Sequence, residues 1–368
     1  MQTVVIADAK YRASIAAARV LGRAGYPVAA VQARGDCPRD PPVFASRFVR
    51  EGRWIDGGAA DPAYPDRLVA LLREYDHPVL LCAGAATLNA VSRRRERFQE
   101  VCGFLIAPPE VLDQLNDKET VHRRCRELGI PVPRTYDGAP EAFPVVIKPH
   151  CGEKAGLKAR DRYDIARNDA EYADKLAAMR RYDPSPLVQE RVSGDGAGAS
   201  LLLDRDSRLI CALCHRRIRE YPASGGPSTC CESFYDREMI DRAYRLLASF
   251  RFQGLAMVEF KGPYVLEVNP RIWGSFPMTE HAGSPMALRY VQAAAGERLE
   301  YQPEDYRAGV RMRFLLNDAA AMLDYLRRGR IRPFLQGAAD MFRAEEALSC
   351  REDPGPMRRY LRQMLLRR

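Results

Sequence analysis

Glu259, Glu267, Asn269 and Arg271 are the residues whose types and spacing could most directly do chemistry. They stand in Gly254-Leu-Ala-Met-Val-Glu-Phe-Lys-Gly-Pro-Tyr-Val-Leu-Glu-Val-Asn-Pro-Arg-Ile-Trp-Gly-Ser275. Two apolar, β-prone runs flank a Lys-Gly-Pro turn there, which reads as a hairpin. Side chains alternate faces along a strand, so Glu267, Asn269 and Arg271 are expected to point the same way. A loop of odd length centred on Pro263 would set Glu259 directly opposite Glu267. Two carboxylates and an amide oxygen then converge, a set of hard donors suited to Mg²⁺, with nucleotide phosphates completing the shell. A hairpin whose acids merely face water would leave unexplained why these residues share a face amid Val265, Leu266 and Val268.

Lysine usage offers a second, independent signal. Of 57 basic residues seven are lysine, and Lys118, Lys148, Lys154 and Lys158 fall within about forty residues of one another. An ammonium is a compact point charge on a flexible stem and a guanidinium a planar fork, so the two are not interchangeable at a phosphate. Lys118 opens Asp-Lys-Glu-Thr-Val-His-Arg-Arg-Cys-Arg-Glu-Leu-Gly-Ile-Pro-Val-Pro133, a predicted helix from about Asp117 that Gly129 and Pro131 stop. Lys148 ends Phe-Pro-Val-Val-Ile-Lys-Pro149, a short strand closed by proline.

With these motifs in place the chain resembles the ATP-grasp superfamily, including its carbamoyl phosphate synthase and D-alanine ligase branches. Those relatives carry an acid on one strand and Glu-x-Asn-x-Arg on the next, matched here by Glu259 and by Glu267, Asn269 and Arg271. The resemblance implies that Lys118 and Lys148 contact phosphates. It implies a flexible phosphate lid over Pro149 to Lys158, where Gly152 and Gly156 are fewer glycines than relatives use and Lys154 and Lys158 add charge. It also implies an adenine hinge, with polar side chains from Gln189 and Glu190 and backbone groups from Arg191 and Val192. Asp195 would stand in for the ribose-binding acid that relatives place at the position of Gly196. The cofactors implied are ATP and Mg²⁺ or Mn²⁺.

These motifs need a scaffold, and the rest of the chain supplies one. The 368 residues, 46% hydrophobic, suffice for two or three domains. Residues 1 to about 108 alternate strands (Thr3–Ala7, Tyr26–Gln32, Pro78–Ala83) and helices (Arg12–Gly25, Pro65–Tyr75, Thr87–Phe98), which predicts a doubly wound parallel sheet. No G-x-G-x-x-G follows the first strand, so dinucleotide binding gains no support. The expected fold class is α/β and α+β: this N-terminal domain, then an ATP-grasp domain over 109–310 with a small α+β lid at about 134–192. A C-terminal helical, Arg-rich extension would occupy 311–368.

No apolar run reaches membrane-spanning length, and the opening Met-Gln-Thr-Val-Val-Ile lacks a basic signal-peptide start. A cytoplasmic protein with ten reduced, mostly core cysteines is expected. Cys211 and Cys214 suggest zinc, but on a strand i and i+3 point to opposite faces, and Cys230-Cys231 adds little. A net charge of +9 raises nucleic-acid binding, yet no basic run is interleaved with aromatics, and anionic substrates account for the charge as well.

The segment Cys214-His-Arg-Arg-Ile-Arg-Glu-Tyr-Pro-Ala-Ser-Gly-Gly-Pro-Ser-Thr229 should choose the substrate. His215, Arg217 and Arg219 would share one strand face and Arg216 the other, unless the segment is a surface hairpin of solvated arginines. Arg216, Arg217 and Arg271 are the expected catalytic guanidiniums, holding a carboxylate and stabilising the phosphoryl transition state. Ser224 to Thr229 has the composition of a mobile loop, in which Ser228 would bond a substrate polar group. Trp273 either walls the pocket or packs in the core.

The resulting expectation is an ATP-dependent carboxylate–amine (or carboxylate–thiol) ligase that releases ADP and phosphate through an acylphosphate. Its partners would be small carboxylates and amines, amino acids among them, and a homodimer is one expected assembly. The rivals are a bicarbonate-activating carboxylase of the same fold and a non-catalytic MgATP sensor.

Overall fold

The computed structural model describes residues 1–151, 163–222, 226–341 and 343–366. Four parallel strands open the chain: β1 (Val4–Ala7), β2 (Val28–Ala33), β3 (Val49–Ile55) and β4 (Val79–Cys82), in the order β3-β2-β1-β4. β1, β2 and β4 are buried throughout, as continuous apolar runs in a parallel sheet should be. The edge strand β3, Val-Arg-Glu-Gly-Arg-Trp-Ile, escapes sequence reading because its charged residues face solvent, as edge strands commonly do. The helix expected over Thr87–Phe98 is two helices, Ala85–Arg93 and Arg95–Gln99, broken where Arg94 leaves helical backbone angles.

A three-stranded antiparallel sheet follows, with β5 (Val145–Lys148) between β6 (Asp164–Ala166) and β7 (Leu187–Glu190). The Asp169–Met179 helix packs on it around Val145, Ile147, Ala166, Met179 and Val188. The chain enters this small α+β unit from the Lys118–Glu127 helix and leaves it through the β7–β8 connection.

The third sheet has seven strands: β8 (Gly196–Leu203), β9 (Leu209–Glu220), β10 (Ser228–Phe234), β11 (Gly254–Lys261), β12 (Tyr264–Asn269), β13 (Arg311–Arg313) and β14 (Glu345–Glu346). They run in the order β12-β11-β8-β9-β10-β13-β14. The segment after residue 310, expected as helical, therefore also lends two strands to this sheet, beside helices Leu315–Arg327, Ile331–Asp340 and Gly355–Leu365. One face of the large sheet packs on the Arg237–Ser249 helix through Ile240, Ala243, Leu246 and Leu247. At its opposite face Leu202, Leu213, Leu255 and Met257 join a core with Val4, Ile6, Val79 and Leu81 of the parallel sheet. Among the described residues no helix is long and apolar enough to cross a membrane.

Candidate active site

The hairpin β11–β12 pairs Glu259 with Glu267 and Met257 with Asn269. The pairing is the expected one, but its cause differs. Lys261 pairs with Tyr264 across a two-residue turn, Gly262-Pro263, and an extra residue, Leu266, bulges out before Glu267. The bulge restores the register that an odd loop would have given, and bulges commonly re-aim side chains beside functional sites. β12 ends at Asn269, so strand alternation does not carry to Arg271, whose guanidinium donates to the Ile272 carbonyl at 3.2 Å.

Period-two alternation now defines one face of the large sheet. Glu267, Glu259, Gly198 and His215 lie side by side across β12, β11, β8 and β9. Asn269, Met257, Ser200 and Leu213 form the neighbouring row. Gly196 and Gly198 put no side chain on this face, which opens room for Arg217 and His215. A Cβ on Gly198 would lie 2.7 Å from the His215 ring, and one on Gly196 3.1 Å from the Arg217 chain. The alternating run Gly196-Ala-Gly198-Ala-Ser200 was the overlooked sequence signal, since glycine inside a strand often marks close approach.

Three cations close on the two carboxylates. Asp117 caps the Lys118–Glu127 helix by accepting from the Thr120 amide at 2.7 Å, which fixes Lys118 at the helix start. Lys118 Nζ lies 3.2 Å from Glu267, and its backbone amide donates to the His150 carbonyl at 3.2 Å, tying the helix to the segment after Lys148. Arg217 bonds Glu259 from β9. Lys148, 9% exposed, ends the central strand of the small sheet.

The charges act on one another. Burial would raise the Glu267 carboxyl, but Lys118 and Lys148 outweigh it and hold it at about 2. Burial raises Glu259, with Arg217 opposing and Glu267 adding to the rise. Lys148 falls to about 8 through burial first and repulsion from Lys118 second. Like charges held together in a cleft are a mark of functional sites. Among the described residues no group of three His, Cys, Asp or Glu is placed to hold a metal ion. A metal would therefore rest on Glu259, Glu267 and the Asn269 amide, a hard-oxygen set that fits a cation sharing its shell with phosphate.

Other expected site residues are placed differently. Arg216 lies on the opposite face of β9 and donates to Glu232 at 3.0 Å, away from Glu259. Arg219 is buried in a bidentate pair with Asp318, both bonds 2.8 Å. Gln189 is 2% exposed, and its amide donates to Thr135 Oγ1 and His122 Nδ1, both at 2.9 Å, instead of presenting itself to a purine. The Glu190 carboxylate accepts from the Arg134 amide at 2.9 Å, so it too is engaged within the hinge. Arg191 and Asp195 are exposed and Val192 half-buried. Gly194, at φ +121°, packs against the hairpin turn, where a Cβ would come within 2.9 Å of Gly262.

Trp273 is buried edge-on against Phe276 with ring centroids 5.3 Å apart, which favours packing. Ser228 donates to the Cys230 carbonyl at 3.0 Å. Cys211 and Cys214 enter different cores, as opposite strand faces require. Lys154, Lys158, Gly152, Gly156 and Ser224 lie outside the described residues.

Two histidines were not assigned chemistry from sequence. His215 Nε2 lies 2.9 Å from Ser275 Oγ, while His215 Nδ1 and Ser200 Oγ are buried without a hydrogen-bond partner among the described residues. Burial, then Arg217, lowers His215 to about 4. His122 stands one helical turn after Lys118, a spacing that already puts the two on one side of the helix.

Part of this chain has counterparts in known proteins. Residues 115–275 match the family described as the ATP-grasp domain. The carbamoyl phosphate synthase large chain of Thermus thermophilus is 26% identical over 220 residues, 54% of this chain and 21% of the relative. That of Deinococcus radiodurans is 24% identical over 220 residues, 52% of this chain and 21% of the relative. The chain thus spans 21% of the length of these curated relatives.

Among solved structures, a biotin carboxylase–ATP complex from Campylobacter jejuni superposes with a TM-score of 0.64 at 14% identity, covering 84% of this chain and 74% of the other. The biotin carboxylase domain dimer of Hydrogenobacter thermophilus 2-oxoglutarate carboxylase, with MgADP, ADP and bicarbonate, gives 0.63 at 16%, covering 84% and 73%. At these identities the superpositions establish the fold.

Proposed function

We propose that this chain is an ATP-dependent carboxylate–amine ligase working through an acylphosphate. One observation carries the reading: Glu259 and Glu267 face each other on a hairpin while Lys118, Lys148 and Arg217 converge on them from three other elements. That puts three cations around a hard-donor pair, suited to a polyphosphate arriving with a divalent ion. Glu259, Glu267 and Asn269 would hold Mg²⁺, which would supply positive charge to the phosphates. Lys118 and Lys148 then exchange their carboxylate neighbours for phosphate oxygens. Arg217 would hold the substrate carboxylate. Its oxygen attacks the γ-phosphorus, the bond to the bridging oxygen breaks, and ADP leaves. An amine next adds to the acyl carbon, the carbon–phosphate oxygen bond breaks, and the amine proton passes to solvent. Positioning and charge stabilisation suffice, without a protein nucleophile. The buried His215 Nδ1 and Ser200 Oγ, on the same face, are polar groups that a substrate could satisfy.

The overall likeness to biotin carboxylases favours a second reading, in which bicarbonate is the activated acid. Both are tested by supplying MgATP with a panel of amino acids, small carboxylates and bicarbonate, and separating the nucleotides. The ligase reading expects ADP and orthophosphate released with an organic acid and an amine present together. Stimulation by bicarbonate alone would select the carboxylase. AMP and pyrophosphate would end the acylphosphate reading.

A further inference from the structure

Three parts of the candidate site come from three separate elements. Lys118 is on the Lys118–Glu127 helix, Glu267 on β12 and the hinge Glu190–Val192 at the end of β7. His122, 1% exposed, belongs to the first and hydrogen-bonds the residues that precede the other two, Leu266 and Gln189. It shares the helix with Lys118, one turn on. Its Nε2 lies 3.0 Å from the carbonyl of Leu266, the bulged residue before Glu267. Its Nδ1 lies 2.9 Å from Gln189 Nε2, and Gln189 also donates to Thr135 Oγ1 at 2.9 Å.

The proton pattern follows from the partners. A carbonyl oxygen only accepts, so His122 Nε2 must carry hydrogen and donate to Leu266. Nδ1 is then a bare lone pair and accepts from the Gln189 amide. Burial, then Lys148, keep the ring neutral, in agreement with that tautomer.

We infer that His122 is a positioning residue: a neutral two-way connector that holds the small sheet's hinge strand, through Gln189, in register with the carboxylate hairpin, through the bulged Leu266 carbonyl. This rests on the nucleotide-site reading above and adds a role to a residue that touches neither phosphate nor metal ligand. The bulge at Leu266 aims its carbonyl at the helix while bringing Glu267 opposite Glu259. The same one-residue irregularity thus sets the carboxylate pair and its tether to the small sheet. Gln189, which sequence reasoning gave to the purine, becomes the other half of the tether. A nucleotide held between the two sheets needs both edges fixed at once, and a shift of about 1 Å at such a site is enough to cost catalysis about a hundredfold.

The test compares His122→Leu, His122→Gln and Cys125→Ala with the wild type. Cys125 is buried on the same helix and serves as a control for loss of packing. MgADP affinity is measured by calorimetry, and amide hydrogen exchange is followed over residues 187–192 and 264–269. His122→Leu fills the space but breaks both bonds, so it should weaken MgADP about tenfold, the scale of one or two net hydrogen bonds, and speed exchange in both segments. His122→Gln, whose amide can donate to Leu266 and accept from Gln189, should restore affinity to within about threefold of wild type on the same hydrogen-bond scale. Cys125→Ala should lower the melting temperature with unchanged affinity and unchanged exchange in the two segments. MgADP binding and exchange in His122→Leu like those of wild type would overturn the inference. A wild-type chain that fails to bind MgADP would sink the nucleotide reading instead. In that event the exchange measurement still decides the tether: faster exchange in both segments supports it, and faster exchange in the helix alone overturns it.

Discussion

β9 carries two charged regions that begin one residue apart and end as opposites. Arg216 and Arg219 join Glu232, Asp318, Asp340 and Arg311 in a cluster of three guanidiniums and three carboxylates. Arg219 binds Asp318 in two parallel bonds, Arg311 reaches Asp340 at 2.6 Å, and Arg216 and Arg311 share Glu232. Every charge there has an opposite partner, and the cluster fastens the helices after residue 314 to the sheet. Arg217, between them, faces the other way and joins Glu259, Glu267, Lys118 and Lys148. In that second region like charges stand against each other, Glu259 against Glu267 and Lys148 against Lys118, while Glu220 also reaches Arg217 at 3.7 Å. A satisfied ionic cluster holds a fold together, whereas a frustrated one waits for a charged ligand.

The contrast predicts opposite failures. Asp318→Ala leaves the buried Arg219 without its bidentate partner and should destabilise the fold by about 3–5 kcal/mol in denaturant titrations, the scale for a broken buried pair. Nucleotide affinity of the protein that remains folded should be unchanged. Glu267→Gln should do the reverse. The Glu267 side chain is a third exposed, so the loss of stability should be smaller than for Asp318→Ala, while substrate-dependent ADP release falls by about 10²–10³-fold. Near-native turnover in Glu267→Gln would remove Glu267 from the site.

A smaller, graded effect should follow pH. Lys148 loses its proton at about 8 in the unliganded chain, below the usual lysine range. MgADP affinity should therefore be flat between pH 6.5 and 7.5. Above pH 8 it should fall by at most about tenfold per pH unit, because binding must then take up one proton. A profile flat to pH 10 would mean that Lys148 does not meet phosphate. Smallest of all is Arg216→Gln. With Arg216 bound to Glu232 on the far face, ADP release should stay within about threefold of wild type, the range of surface-type changes. A hundredfold loss would return Arg216 to catalysis.

Local chemistry was legible in the sequence wherever a residue announces its own geometry. The helix start near Asp117, Gly129 as helix stop at φ +67°, Val145–Lys148 as strand and the Glu259–Glu267 pairing are all visible from residue type and period. The resemblance to ATP-grasp proteins rested on those same positions. Long-range partnership was not legible. Whether Arg219 turns to the site depends on Asp318 and Asp340, about a hundred residues on. Gln189 looked like a ligand group because nothing local shows that His122 and Thr135 occupy its amide. An odd loop would set the same carboxylate pair opposite each other, but the structure does so with a bulge. Edge strand β3 was lost because its charged, solvent-facing residues resemble a loop.

The central claim is that the frustrated cluster is a MgATP site, and calorimetry of MgADP binding to the wild type and to Lys148→Met tests it most directly. The wild type should bind, and MgADP at about a hundred times its dissociation constant should stabilise it against unfolding by about 2.7 kcal/mol. Lys148→Met, which keeps the length of the chain and loses the ammonium, should remain folded and bind at least about tenfold more weakly, the scale of one charge-assisted hydrogen bond. A folded wild-type chain that shows no heat and no stabilisation with millimolar MgADP, or a Lys148→Met chain that binds as tightly as wild type, would contradict it.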